Sequence, residues 1–134
     1  MKTSDIRVST NSRYEFVTIT GDVKEAVKEM GVEDGFCVIS STHTTAAITV
    51  NEDYDRDVPR DLAAACETLI GSLDVEFHHA EGNSDSHLLT SLFGQSQHLL
   101  VRAGELDLGR WQGIFLAEFD GPRTRTVRVS VGEA

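Results

Sequence analysis

Lysine, cysteine and long apolar runs are all scarce in this chain of 134 residues, and each shortage removes a class of function. Only Lys2, Lys24 and Lys28 are lysines, and 22 acidic residues against 12 basic ones give a formal net charge of -10. Such a surface repels phosphate backbones and anionic headgroups, so neither a nucleic-acid partner nor a membrane surface is expected. The apolar stretches fall far short of a membrane span, and the opening Met-Lys-Thr-Ser-Asp runs into no signal-peptide core. A cytoplasmic protein is expected on that ground. Cys37 and Cys66 lie in apolar segments without the paired spacing of a metal knuckle or redox motif, and read as small buried hydrophobes.

What is present suffices for one core. With 40% hydrophobic and 25% charged residues the composition is globular, and the length is that of a single domain, residues 1–134. Segments 6–9 and 14–20 carry β-formers around the turn-like Asn11-Ser12 and suggest a first hairpin. Val23, Ala26, Val27 and Met30 fall at helical spacing, with Asp22 and Glu25 placed like a capping box and Gly31 at the end. Phe36 to Ser40 reads as a strand, with Thr45 to Asn51 as its partner.

A second helix is expected behind a cap at Asp57, with Pro59 in its first turn and a stripe of Leu62, Ala65, Cys66, Leu69, Ile70 and Leu73. A third, shorter helix begins near Asn83 or Ser84 and stops at Gly94. The remainder reads as strands over 99–102, 112–119 and 124–131, with Asp120-Gly121-Pro122 as a turn. Few helices and many adjacent strands point to an α+β fold with a mainly antiparallel sheet and two to three helices.

Some polar residues sit where strand alternation leaves little room for them. From His43 to Asn51 the odd positions form a polar row through Thr45 and Thr49, while Ala46, Ile48 and Val50 hold the other side. Between Trp111 and Asp120, Ile114 and Leu116 point one way and Phe115, Ala117 and Phe119 the other, so this strand is buried on both faces and Gln112 and Glu118 need partners. Arg123 and Arg125 share the parity of Val127, Val129 and Val131, which places two guanidinium forks at the mouth of an interior face. They suit a carboxylate or phosphate, or a salt bridge to a neighbouring acid.

His43, His78, His79 and His87 flank loops or element ends, and 78–87 packs imidazoles, carboxylates and small residues into one connection. That is the chemistry of a metal or acid-base site. If 77–79 is extended, His78 and His79 point oppositely and only one joins it. Asp85 reads as a charge at a helix start or as an acceptor orienting an imidazole.

Taken together, Thr42-His43-Thr44-Thr45-Ala46-Ala47-Ile48, Asn51-Glu52, His79 through Asn83-Ser84-Asp85-Ser86-His87-Leu88, Leu108-Gly109-Arg110-Trp111-Gln112 and Asp120-Gly121-Pro122-Arg123-Thr124-Arg125 resemble the YjbQ family, described as secondary thiamine-phosphate synthase. The resemblance covers nearly the whole chain. It implies a homotrimer and a reaction joining a pyrimidine methyl diphosphate to a thiazole phosphate with release of pyrophosphate. It implies His43, His79 and His87 as ligands of a divalent metal ion such as zinc. Glu52 and Asp85 are then the acid-base candidates, and Thr45, Asn51, Asn83, Trp111, Gln112, Arg123 and Arg125 the contacts to a small phosphorylated metabolite. A metal-dependent hydrolase of such a metabolite and a non-enzymatic anion-binding trimer use the same residues.

Overall fold

A computed structural model describes residues 1–134. Its elements are β1 (Lys2–Ser9), β2 (Glu15–Thr18), α1 (Thr20–Met30), β3 (Gly35–Ser41), β4 (Ala46–Glu52), α2 (Asp57–Gly71), α3 (Ser84–Phe93), β5 (Ser96–Arg102), β6 (Glu105–Leu106), β7 (Gln112–Glu118) and β8 (Thr124–Glu133). The strands form two sheets, one in the order β1-β8-β3-β5-β6 and one in the order β2-β7-β4. All their pairings are antiparallel.

Two expected pairings are corrected. β1 and β2 are no hairpin: β1 pairs with β8 and β2 with β7. β3 and β4 likewise part, β3 lying between β8 and β5 while β4 pairs with β7. The reason lies in which faces are apolar. In β2, Phe16 belongs to one buried cluster while Val17 packs on the other, and in β4 Ala47 is divided in the same way from Ala46 and Ile48. Strands apolar on both faces suit the middle of three layers, whereas β1, with Ile6 and Val8 on one side and Thr3, Asp5 and Arg7 on the other, suits an outer sheet.

The main core lies between the sheets, where Cys37, Ile39, Val127, Val129 and Val131 meet Ile48, Ile114 and Leu116, with Val23 and Val27 of α1 against them. Across the other face of the small sheet, Phe16, Ala47, Phe115, Ala117 and Phe119 pack against Cys66 of α2 and Leu89 of α3. The polar row of β4 is therefore divided: Ala47 is covered by the helices and Thr45 is buried, whereas Thr49 is half-buried and Asn51 is exposed. Both cysteines are buried and unpaired, and burial pushes the Cys37 thiol up to about 11.

Gly31 closes α1 with φ of 67°, the left-handed conformation that glycine adopts at little cost. The Asp22 and Glu25 capping box is not made, because α1 begins two residues before Asp22, at Thr20. The Thr20 hydroxyl instead donates to Asp53 at 2.6 Å and accepts from the Ile114 N–H at 2.9 Å. Asp57 is the first residue of α2 rather than its cap, which falls at Arg56 without a side-chain cap bond, and the stripe is narrower than expected: Cys66 is buried while Leu69 is 61% exposed. α3 runs between Asn83 and Gly94, as its flanking residues suggested.

Candidate functional site

The end of the small sheet where β7 finishes and β4 begins carries a polar assembly that ties the layers together. Glu118 ends β7 in the middle layer and Arg125 stands near the start of β8 in the outer sheet, and both side chains are fully buried. Arg125 donates to Glu118 through Nε at 2.9 Å and through Nη2, and Nη2 also reaches the Thr45 hydroxyl at 2.8 Å. Glu118 further accepts from the Thr10 hydroxyl at 2.8 Å and the Asp120 N–H at 3.1 Å. The salt bridge expected as one use of Arg125 is thus present. The guanidinium Nη1 has no protein acceptor and is left to the cavity that Arg125 lines.

The turn after Glu118 needs glycine, since a Cβ on Gly121 would stand 2.2 Å from the Ser12 carbonyl oxygen. Beside it Asp120 accepts from Arg123 Nη2 at 3.0 Å and from Asn83 Nδ2 at 2.9 Å. Asn83 is nine-tenths buried, and its Oδ1 has no partner. One position into α3, Asp85 accepts from Arg13 at 2.9 Å and from the Tyr14 hydroxyl. Burial alone would raise the Asp85 carboxyl, but the Tyr14 and Arg13 hydrogen bonds outweigh it and hold the group below its ordinary range. Burial, reinforced by the Asp85 hydrogen bond, raises the Tyr14 phenol. Asp85 therefore anchors α3 against the 10–14 connection and is not among the residues lining the cavity.

Arg123, Arg125, Asn83, Asp120 and the loop 42–45 enclose a cavity of about 500 Å³, which His43, His79 and His87 also line. The expected three histidines are thereby brought to one place, but they are not equivalent. His43 Nε2 accepts the Thr126 N–H at 2.8 Å, leaving Nδ1–H as a donor in the neutral ring. Burial, followed by the charge of Arg125, pulls the His43 pKa below its ordinary value, against an opposing influence of Glu118. His79 and His87 are neighbours, with ring centroids 5.5 Å apart, and His79 Nε2 lies 4.0 Å from Glu81. The Thr44 and Thr45 N–H groups donate to no protein acceptor.

No three His, Cys, Asp or Glu side chains converge as a metal-binding group. The neighbouring His79 and His87 imidazoles are the candidates for holding a divalent ion, and Glu81 and Asn83 line the same cavity. His43, its Nε2 lone pair engaged, fits a hydrogen-bonding role. The other half of the cavity is rich in donors, which suits an anion.

Besides Asp85, four sequence candidates lie outside the cavity. Asn51 and Glu52 end β4 opposite Gly113 and Gln112, so they and Trp111 occupy the far end of the small sheet, six residues or about 20 Å along β7 from Glu118. There Trp111 stacks edge-on with Tyr54, ring centroids 5.0 Å apart, under Arg110. Gln112 accepts the Gly109 N–H at 2.8 Å. Within one chain, Glu52 and these neighbours do not meet the histidines. Sequence reasoning passed over Glu81 and Asp120 at the cavity and Arg13 behind it. It also passed over Thr90 and Ser91, although their spacing of three and four residues from His87 is the signal of a shared helix face.

Comparisons with known proteins identify the family. A family model described as "UPF0047 protein YjbQ-like" matches residues 4–134. The chain belongs to the YjbQ/UPF0047 family. UPF0047 protein MJ1081 of Methanocaldococcus jannaschii is 46% identical over 93% of this chain and 90% of its own length. UPF0047 protein YugU of Bacillus subtilis is 40% identical over 94% and 96%. Among solved structures, a YjbQ/UPF0047 family protein from Clostridium acetobutylicum superposes with a TM-score of 0.91 at 43% identity, covering 96% of this chain and 99% of that one. A YbjQ-like protein from Sulfolobus solfataricus gives 0.92 at 34% identity, covering 99% and 97%. The YjbQ/UPF0047 fold is thus that of one α+β domain with three helices, none long and apolar enough to cross a membrane.

Proposed function

We propose that the histidine and arginine cavity is an enzyme site for a small phosphorylated metabolite and hydrolyses its phosphate ester. The observation that carries this reading is the pairing, in one cavity, of anion donors (Arg123, Arg125 Nη1 and the free N–H groups of Thr44 and Thr45) with two adjacent imidazoles. The donors hold the phosphate and stabilise charge that develops on its oxygens. A water attacks phosphorus, one histidine takes its proton, the ester P–O bond breaks, and the other histidine protonates the departing alcohol. Were His79 and His87 to hold a divalent ion, the ion would supply Lewis-acid stabilisation in place of their acid-base role, because coordination uses the lone pair that proton transfer needs.

Secondary thiamine-phosphate synthase chemistry is the second reading, supported by the family resemblance. Its diphosphate leaving group would use the same arginines. Its two heterocycles call for a stacking surface, and the cavity has no apolar side chain while Trp111 lies at the other end of β7. Assembly as a homotrimer is part of this proposal, since Asn51, Glu52, Trp111 and Gln112 can serve a site only from a neighbouring copy.

The deciding assay follows phosphate and pyrophosphate release, with zinc and other divalent ions, from phosphate esters offered singly and from the two heterocyclic substrates together. Hydrolysis predicts phosphate from one ester alone, lowered about a hundredfold or more in His87→Ala. Pyrophosphate appearing only when both heterocycles are present would replace hydrolysis with the synthase reaction.

A further inference from the structure

The charged cavity does not end at His87. A second cavity of about 490 Å³ shares Thr44 and His87 with it and is otherwise lined by Thr90, Ser91, Gly94 and Gln95. Its chemistry is different: apart from the shared imidazole it offers hydroxyls and one amide, with neither a carboxylate, a guanidinium nor an apolar side chain.

Three of these groups have unused hydrogen-bonding capacity. Thr90 is only 3% exposed, yet its hydroxyl has no partner, and a buried hydroxyl left unpaired is a standing cost to the fold. The Gln95 amide nitrogen makes a long bond of 3.4 Å to the His43 carbonyl, and its amide oxygen accepts nothing. Ser91 donates to the His87 carbonyl at 2.9 Å, so its oxygen still has lone pairs to offer. Thr90 lines one of the two cavities that His87 joins and Asn83 the other, and each carries a buried polar atom without a partner.

We infer that the second cavity binds the neutral, hydroxyl-bearing part of a phosphate ester whose phosphate lies among the arginines, so that the substrate is a phosphorylated sugar or polyol. This rests on the reading of the first cavity as a phosphate site. Walls of hydroxyl and amide groups make hydrogen bonds to the hydroxyls of such a ligand, and they reject a ligand lacking them because their own groups then stay unpaired. A phosphorylated aromatic ring needs a broad apolar wall, and neither cavity has an apolar side chain, the histidine rings being the flat surfaces they offer. Volumes of about 490 and 500 Å³ are those of sites for small metabolites.

Isothermal titration calorimetry with inorganic phosphate, glycerol 3-phosphate, glucose 6-phosphate and phenyl phosphate tests the inference on wild-type protein, Thr90→Val, Gln95→Ala and Arg123→Ala. Thr90→Val keeps the β-branched shape and replaces an unpartnered hydroxyl by a methyl group, so its fold is retained, which a thermal melt verifies. A hydroxylated ester should bind at least about tenfold tighter than inorganic phosphate, with phenyl phosphate showing no such gain. Thr90→Val and Gln95→Ala should each weaken the hydroxylated ester about three- to tenfold and leave inorganic phosphate unchanged, while Arg123→Ala weakens both. Inorganic phosphate bound as tightly as every ester, phenyl phosphate bound tightest, or a Thr90→Val variant with unaltered ester affinity overturns the inference and leaves the phosphate site standing. Failure of wild type to bind any phosphate species overturns both.

Discussion

Glu118 and Arg125 sit on strands of different sheets and meet as a fully buried ion pair at the end of the molecule that holds the cavity. The pair closes the seam between the layers while aiming the remaining guanidinium nitrogen at the site. Removing one partner strands a charge in the interior, so Glu118→Ala should cost about 3–5 kcal/mol in urea denaturation. Anion binding should fall with it, because Arg125 loses its fixed orientation. A cost below about 1 kcal/mol would show that the pair is dispensable to the fold.

His43 gives the protein a pH dependence whose direction follows from its surroundings. Burial and the Arg125 charge lower its pKa from 6.5, so the unfolded chain takes up this proton first as pH falls. The increment of stability is therefore complete above about 6.5 and is lost as pH drops toward the lowered folded value. Denaturation at about pH 7.5 and about pH 5.5 should show a smaller difference in His43→Asn than in wild type. Long-range proton–nitrogen NMR should find the Nδ1–H tautomer, and a histidine that charges above 6.5 would contradict the hydrogen bond to Thr126.

How far such features can be read in advance depends on whether the cause is local. The alternation of Ile114 and Leu116 against Phe115, Ala117 and Phe119 identified a strand buried on both faces, and β7 is the centre of the middle layer. The parity of Arg125 with Val127 foretold an inward guanidinium, and Asn83 and Gly94 marked the ends of α3. Strand partners were not legible, because alternation shows which face a residue takes and not which strand lies beside it. The β1–β2 hairpin failed for that reason. The use of the His43 nitrogen likewise depends on Thr126, 83 residues away. The unfilled capacity of Thr90 exists only once α3 is packed.

Metal binding separates the three histidines. If His79 and His87 are ligands and His43 is a hydrogen-bonding group, elemental analysis after incubation with zinc should find about one ion per chain in wild type and in His43→Ala. His79→Ala and His87→Ala, shown folded by circular dichroism, should lose it. Loss in His43→Ala as well would mean that this ring turns away from Thr126 to offer its own lone pair, making the set of three that the family resemblance implies.

The helix layer and the stretch that follows α2 expose several large apolar side chains. Leu69 of α2 and Leu92 of α3 are 61% and 71% exposed, and Leu73, Val75 and Phe77 alternate with acidic residues and His78 along an unpaired stretch leading to His79. A surface of this kind is expected to be covered by protein. With the proposed homotrimer as that cover, light scattering should give about three times the chain mass of 14.7 kDa, and Leu69→Asp with Leu92→Asp should reduce it to that of one chain. Because residues 73–77 run directly into His79, amide exchange along them should speed up in the dissociated variant, and ligand affinity should fall even though no cavity residue has changed. A wild-type protein that runs as a single chain at micromolar concentration would leave these side chains without a cover, and Asn51, Glu52, Trp111 and Gln112 without a route to any site.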